Sequence, residues 1–256
     1  MTDTKILNCP THGDYEAKPI MFRGAVVVKG EHCLLCARAE ADALAVTNAA
    51  KEAAERQARI EKRFAQSGIP RGFANRTFDS YRADTPVMQT ALVKAQRFAD
   101  GFRSHLKTGA SLTFIGGIGT GKTHLAVAIA HHAMAFGHSV MYETAYDLVT
   151  RMRDCMRRDA ETSTTAMMDA YGAIDLLVLD EIGIQGATDD VRGHLTNVID
   201  RRYRNARPTI IISNLDKGAL SEYLGDRIAD RLRERASVVI FDWESYRANA
   251  RSIGEV

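Results

Sequence analysis

At residues 116–123 the chain reads Gly116-Gly117-Ile118-Gly119-Thr120-Gly121-Lys122-Thr123. This stretch fits the pattern G-x-x-x-x-G-K-[S/T], in which glycines let the backbone wrap a polyphosphate with its N–H groups pointing inward. The apolar run 112–115 before it predicts a buried strand, and the run 125–130 after it predicts a helix whose N-terminus adds positive potential. Lys122 can then contact the outer phosphates, and the Thr123 hydroxyl can bind Mg²⁺. The stretch predicts an α/β nucleotide-binding domain.

A second motif lies downstream, where the apolar run 176–179 is followed by Asp180 and Glu181. The run predicts a central parallel strand, and ligands of open α/β sheets bind at the carboxyl ends of such strands. We expect Asp180 to hold Mg²⁺ through water and Glu181 to act as general base on the attacking water. The next predicted strand, 208–213, is followed by Asn214, which either hydrogen-bonds that water or the γ-phosphate, or forms a turn.

Length and composition are those of an ordinary globular protein, with 256 residues, 45% hydrophobic and 26% charged. The formal net charge of +2 is too small to indicate nucleic-acid binding by itself, so such a contact would have to come from local patches. The sequence has no run of about 18 apolar residues, and its first ten residues lack the apolar segment of a signal peptide. We therefore expect a cytoplasmic protein without a membrane partner.

The N-terminal segment carries four potential zinc ligands, Cys9, His12, Cys33 and Cys36. Each pair has two residues between its members, the spacing that lets one tight turn present two ligands to a tetrahedral Zn²⁺. His32 is an alternative to His12, and unligated cytosolic thiols are the alternative to a metal site. A bound metal would also explain how so short a segment, with little apolar content, folds. We predict a zinc-binding domain over residues 1–36.

A change of composition follows this segment. Residues 37–67 are rich in Ala, Glu, Arg and Lys without internal Gly or Pro, which predicts a mostly solvated helical linker, either a plain connector or a partner-docking face. Residues 68–256 then form the nucleotide-binding domain, in which we expect one helix from about residue 86 to 107. Phe78 and Tyr81 either contact the adenine or pack in the core, and Trp243 is expected to be a core anchor.

Two groups of arginines have more than one interpretation. Four lie on the predicted helix that starts near Thr144, namely Arg151, Arg153, Arg157 and Arg158. They form either a solvated face or a contact with nucleic-acid phosphates. Arg227 and Arg231 are four residues apart and share one helix face, from which one of them could reach a phosphate across a subunit boundary. We expect such an arginine to contribute nothing to the stability of its own subunit.

Taken together, the motifs resemble those of the DnaC family of replicative helicase loaders over roughly residues 60–250. The resemblance is carried by 116–123, Leu179-Asp180-Glu181-Ile182-Gly183, Ser213-Asn214, Leu224 to Arg231 and Phe241-Asp242-Trp243-Glu244-Ser245-Tyr246-Arg247. It implies an AAA+ ATPase that forms a homo-oligomer around ATP, binds single-stranded DNA and delivers a DnaB-type helicase onto it at replication initiation. It further implies Asn214 as sensor 1, Arg231 as an arginine finger acting in trans with Arg227 beside it, and Arg247 as a sensor-2-like residue.

We therefore expect an α/β AAA+ P-loop NTPase core, with a parallel central sheet flanked by helices, behind a small zinc-binding domain and a helical linker. The expected cofactors are ATP, Mg²⁺ and Zn²⁺. The expected nucleotide site consists of residues 116–123 with His124, Asp180 and Arg247, and the catalytic residues are Lys122, Glu181, Asn214 and Arg231.

Two alternatives to helicase loading remain from the sequence. One is an IstB-type transposition helper ATPase, which is expected to lack the zinc segment. The other is a zinc-dependent DNA-binding adaptor whose nucleotide site is only structural. Because the enterobacterial loader has a helical, metal-free N-terminus, Cys9, His12, Cys33 and Cys36 suggest a loader of the DnaI type or a phage-borne version.

Overall fold

The computed structural model of the protein describes residues 5–17, 19–22, 25–28, 33–184, 186 and 188–246. The chain forms two compact units, Met1–Arg59 and Ile60–Val256. In the described ranges, no helix combines the length and the apolar content needed to span a bilayer.

The N-terminal unit contains two antiparallel hairpins and most of a long helix. The strands are β1 (Lys5–Cys9), β2 (Gly13–Ala17), β3 (Pro19–Phe22) and β4 (Ala25–Val28), and the helix is α1 (Leu34–Gln66). Strand β1 pairs with β2, so that Cys9 faces Gly13 across the tight turn that holds His12. Helix α1 begins three residues before the predicted start at residue 37, and the first helical hydrogen bond runs from the Ala37 N–H to the Cys33 carbonyl.

The second unit alternates helices and strands along the chain. Its elements are α2 (Pro86–Asp100), α3 (Phe102–Thr108), β5 (Ser111–Gly116), α4 (Lys122–Ala135), β6 (Val140–Thr144), α5 (Ala145–Asp154), α6 (Thr164–Ala173), β7 (Leu176–Ile182), α7 (Asp189–Arg204), β8 (Thr209–Ser213), α8 (Lys217–Leu224), α9 (Asp226–Arg235) and β9 (Ala236–Phe241). The single helix predicted over residues 86–107 is wrong, because α2 ends at Gly101 and α3 begins after it. Gly101 has φ −82° and ψ 2°, a conformation open to any residue, but a Cβ atom there would lie 3.0 Å from His105 Nε2 and 3.2 Å from the Arg97 carbonyl oxygen.

The five strands of this unit form one sheet in the order β6-β7-β8-β5-β9, and every neighbouring pair is parallel. The predicted α/β fold with a parallel central sheet is therefore confirmed. Since all strands run the same way, the loop after β5 and the residues that end β7 and β8 meet at one edge of the sheet.

Side chains alternate between the two faces of the sheet and bury a separate core on each. Leu112 and Phe114 of β5 point to the face covered by α2 and α4. Ile115 of the same strand points to the opposite face, where α5 and α7 pack. The two cores hold the strands from whose carboxyl ends these loops extend.

Candidate nucleotide site and metal cluster

The glycine-rich loop connects the end of β5 directly to the first turn of α4. Gly119 and Gly121 have φ angles of +76° and +93°, a region that other residues enter only with strain. Helix α4 has no side chain capping its N-terminus. Its first N–H groups therefore face the loop with the positive end of the helix dipole, which is the arrangement that binds anions.

The side chain of Lys122 folds back into this loop. Its Nζ atom donates hydrogen bonds to the carbonyls of Gly116 at 2.8 Å and Gly117 at 2.6 Å. The residue is only 5% exposed, and burial lowers the pKa of its ammonium group, against the attraction of the Asp180 carboxylate. The ammonium group thus already lies inside the loop, among oxygen acceptors that a polyphosphate could replace.

The two residues predicted to hold Mg²⁺ are in direct contact. Thr123 Oγ1 donates to Asp180 Oδ2 at 2.8 Å, so that a hydroxyl and a carboxylate oxygen meet at the mouth of the loop. The Tyr142 hydroxyl donates to the same Oδ2 atom at 2.7 Å, and the Glu181 backbone N–H donates to Oδ1 at 2.7 Å. Hard oxygen ligands of this kind fit Mg²⁺, which keeps several waters and binds protein through one or two such groups.

Glu181 follows the buried Asp180 but is itself exposed, and its φ angle of +61° is left-handed. The register between β7 and β8 shifts between Leu179 and Ile182, so that the backbone turns where the carboxylate is presented. Asn214 is also exposed and directly follows Ser213, the partner of Ile182 on the neighbouring strand. The predicted general base and sensor therefore lie on adjacent strand ends.

His124 and Tyr81 pack together beside the loop. Their rings lie 5.1 Å apart edge to face, and a Cβ atom on Gly121 would lie 2.8 Å from the Tyr81 ring. His124 Nε2 lies 2.8 Å from the Thr77 carbonyl, and burial lowers the pKa of the imidazole. The segment before α2 thus reaches the nucleotide-binding loop. Phe78 and Tyr81 also pack against the core, and a contact with adenine stays a prediction.

Trp243 contacts the glycine-rich loop, a role that we did not predict. Its Nε1–H group donates to the Thr120 carbonyl at 3.0 Å, while its ring lies 4.9 Å from that of Phe241 in the core. The Tyr246 backbone N–H donates to the Gly119 carbonyl at 3.0 Å. A lone tryptophan after the last strand gives no local pattern for such a contact, and Arg247 lies outside the described residues.

The four predicted zinc ligands converge in the N-terminal unit. The potential ligand atoms of Cys9, His12, Cys33 and Cys36 all lie within 4.8 Å of one another. Cys9 Sγ and Cys36 Sγ are 3.6 Å apart, and His12 Nδ1 lies 3.3 Å from the sulfur atoms of Cys33 and Cys36 and 3.7 Å from that of Cys9. Around a tetrahedral Zn²⁺, ligand distances of about 2.3 Å for sulfur and about 2.0 Å for nitrogen place neighbouring ligands about 3.5–3.8 Å apart. The cluster therefore fits zinc, and His32, outside the described residues, is not needed to complete four ligands.

Comparisons with known proteins identify a family of ATP-binding proteins. A family model described as IstB-like ATP binding protein matches residues 43–254. The replicative helicase loader DnaC of Escherichia coli K12 is 35% identical over 205 residues, which cover 80% of this chain and 82% of that protein. The chain belongs to the DnaC/IstB-like family of ATP-binding proteins. The DnaC loader of Buchnera aphidicola (subspecies Schizaphis graminum) is 31% identical over 194 residues, or 75% of this chain and 78% of that one.

Two solved structures share the fold. The crystal structure of the DnaC helicase loader matches with a TM-score of 0.61 at 25% identity, covering 67% of this chain and 99% of that chain. The structure of DnaI matches with a TM-score of 0.57 at 21% identity, covering 67% and 94%. The predicted AAA+ fold is confirmed.

In this DnaC/IstB-like chain, the two candidate finger arginines contact an aspartate of their own subunit. Arg227 Nη2 lies 3.2 Å from Asp200 Oδ2, and Arg231 forms an ion pair with the other oxygen of Asp200. Arg231 also stacks over Tyr203, at 5.0 Å from its ring centre. The expectation that Arg231 makes no contribution to its own subunit is therefore wrong, because the face it shares with Arg227 packs against α7, where Asp200 is buried.

Most of the arginines on and after α5 have acidic partners. Arg151 pairs with Glu143 at 2.7 Å, Arg153 with Asp190 at 2.7 Å and Arg157 with Asp159 at 3.6 Å. Pairing reduces the positive charge that this surface offers to phosphates. For these arginines, a solvated face is therefore favoured over a contact with nucleic-acid phosphates.

Proposed function

We propose that this DnaC/IstB-like protein is an ATP-dependent loader of a DnaB-type replicative helicase onto single-stranded DNA at replication initiation. The observation that carries the proposal is the 35% identity to a replicative helicase loader across 82% of that protein's length. The match covers far more than the phosphate loop, which is common to many ATPases. A loader acts where DNA is replicated, and the proposal therefore includes a cytoplasmic location.

The proposal includes hydrolysis of ATP by the residues at the sheet edge. Lys122 would release the Gly116 and Gly117 carbonyls and bind the outer phosphates, and Thr123 and Asp180 would hold Mg²⁺, which neutralises phosphate charge when bound. Glu181, exposed and adjacent to Asp180, would accept a proton from the attacking water as that water forms its bond to the γ-phosphorus and ADP leaves. Asn214 would orient the same water from the neighbouring strand end.

Oligomerisation around ATP is also part of the proposal. A positive side chain from a second subunit would complete the charge compensation at the γ-phosphate, and Arg231 or Arg227 is the candidate. Arg227 is the more exposed of the two, with 67% of its side chain accessible against 20% for Arg231. Either arginine would have to leave Asp200 in order to reach a neighbour, so assembly would exchange an ion pair within the subunit for one between subunits.

We further propose that Zn²⁺ bound by Cys9, His12, Cys33 and Cys36 folds a domain over residues 1–36, with residues 37–67 as linker and residues 68–256 as ATPase domain. The converging ligands and their tetrahedral spacing support the metal. Along the chain, the boundary between the two compact units falls between Arg59 and Ile60, within α1. Such a module suits the role of a separate docking domain for the helicase.

A reconstituted loading assay tests the proposal. The purified protein is mixed with the replicative helicase of the same cell and with forked DNA whose single strand is coated by single-strand-binding protein. We expect strand separation to depend on the loader and on ATP, and the Lys122→Ala variant to be inactive. Unwinding that is independent of the protein would contradict the proposal, and capture of a transposase instead of the helicase would favour the IstB-type alternative. DNA binding without any ATP turnover would favour the adaptor.

A further inference from the structure

The segment 242–246 is bound to the outer side of the phosphate loop by two hydrogen bonds. The indole N–H of Trp243 donates to the Thr120 carbonyl and the backbone N–H of Tyr246 donates to the Gly119 carbonyl, both at 3.0 Å. Trp243 and Thr120 are 123 positions apart in the chain. The contact is close, because a Cβ atom on Gly119 would lie 2.1 Å from the Ser245 hydroxyl.

These two hydrogen bonds fix the direction of two peptide groups in the loop. In a trans peptide the carbonyl and the following N–H point in opposite directions, and the described chain has no cis peptide. The Gly119 carbonyl is held toward the C-terminal segment, and the N–H of Thr120 consequently points away from it. The Thr120 carbonyl is held in the same way, which directs the N–H of Gly121. Backbone N–H groups aligned in this manner are the donors with which a glycine-rich loop binds phosphate.

The donor on Trp243 has a rigid support. Its ring lies 4.9 Å from the ring of Phe241, which is fully buried and lies 5.2 Å from the ring of Phe114 on the neighbouring strand β5. On the other side, Arg82 Nη1 donates to the Tyr246 hydroxyl at 3.0 Å and connects the segment to the chain before α2. The core therefore supports the donor on Trp243, and Arg82 supports Tyr246.

We propose that the Trp243 indole N–H and the Tyr246 backbone N–H are positioning groups that keep the phosphate loop in its anion-binding conformation. The proposal rests on the ATP-binding part of the proposed function and not on helicase loading. The polyphosphate of a nucleoside triphosphate is the ligand that benefits. The segment 242–246 is thus a functional part of the nucleotide site, and its Trp243 is a core anchor as well.

The first test replaces Trp243 by Phe, which keeps an aromatic ring and removes the N–H donor. Calorimetry measures the affinity for Mg-ATP and for inorganic triphosphate, and thermal unfolding without ligand measures stability. Loss of one neutral hydrogen bond corresponds to about 3- to 10-fold weaker binding. We expect this loss for both ligands alike, because the effect acts on the phosphates. The free protein loses the same hydrogen bond, so its unfolding temperature should fall by no more than a few degrees.

The second test compares Tyr246→Pro with Tyr246→Ala, since both lose the phenol and only the first loses the N–H. Tyr246 is 45% exposed, so neither variant removes a core residue. We expect the proline variant to bind Mg-ATP about 3- to 10-fold more weakly than the alanine variant.

Two outcomes would overturn the positioning role. One is binding of both ligands by Trp243→Phe within twofold of the unsubstituted protein. The other is an equal affinity of Tyr246→Pro and Tyr246→Ala for Mg-ATP, which would leave only a structural role. If the unsubstituted protein bound no ATP, the proposed function itself would fail, and the two failures are thereby distinguishable.

Discussion

The hydroxyl of Tyr142 donates a hydrogen bond to Asp180 Oδ2 over 2.7 Å. Tyr142 is buried on β6, the strand next to the one that carries Asp180. Burial and the Asp180 charge raise the pKa of the phenol, so it remains a donor. Since Thr123 donates to the same oxygen, the carboxylate is oriented from two sides before any metal binds.

Replacing Tyr142 by Phe should therefore impair the use of Mg²⁺ without loss of fold. Partners that orient a metal-binding carboxylate typically contribute about 10- to 100-fold to metal affinity or activity, and we expect ATP turnover to fall or its Mg²⁺ requirement to rise within that range. Phosphate release measured against Mg²⁺ concentration checks this. Tyr146→Phe is the matched control, since Tyr146 is 60% exposed. An unchanged Mg²⁺ dependence in Tyr142→Phe would show that Asp180 needs no such partner.

Lys122→Ala and Glu181→Gln should fail at different steps. In the proposed mechanism Lys122 compensates phosphate charge in the ground state, whereas Glu181 acts on the attacking water alone. The first variant should therefore lose ATP binding and the second only turnover. Binding of radiolabelled ATP and release of phosphate separate the two effects. Equal loss of ATP binding in both variants would refute the assigned roles.

Freshly purified protein should contain about one equivalent of zinc. Cys36→Ser should lose it, while Cys155→Ser should keep it, because Cys155 lies on α5's C-terminal end and outside the ligand cluster. Elemental analysis gives the zinc content. Chelation should make residues 1–36 sensitive to protease and leave the unit Ile60–Val256 resistant, since a zinc module folds only with its metal. Metal-free protein with a protease-resistant N-terminus would exclude the zinc domain.

Arg231→Ala should lose ATP turnover and ATP-dependent assembly, and it should also be less stable than Arg227→Ala. Arg231 is the less exposed partner of the buried Asp200, and removing one partner of a buried carboxylate costs about 1–3 kcal/mol. Thermal unfolding compares the two variants.

Trans action of Arg231 is tested by mixing Arg231→Ala with Lys122→Ala protein. Recovered turnover would mean that one subunit completes the other's site, and a finger typically contributes about 10³-fold or more. Absence of recovery in assembled mixtures would move the role to Arg227 or remove it.

The fold and the convergence of the motifs were predictable because both depend on local patterns. The apolar runs before Gly116 and Asp180 form buried parallel strands, and their carboxyl ends necessarily meet at one edge. The break at Gly101 was missed because an isolated glycine is compatible with a helix in many contexts.

Contacts between distant residues could not be predicted from the sequence. Arg227 and Asp200 are 27 positions apart, and Trp243 and Thr120 are 123 apart. In the sequence, no periodic pattern of apolar residues and no ligand spacing links the two members of either pair. They come together only because α9 packs on α7 and the C-terminal segment packs on the loop. The assigned roles of Asn214 and Arg231 stay predictions.

The left-handed backbone at Glu181 means that the unit Ile60–Val256 loses conformational stability at the site where we propose that ATP is hydrolysed. A non-glycine residue with such a φ angle is strained by about 1–3 kcal/mol, and the rest of the unit must hold it there. Selection for a more stable protein would therefore favour glycine at this position, and selection for turnover would oppose it. A gain in melting temperature by Glu181→Gly, together with the loss of hydrolysis, would be a thermodynamic signature of the active site.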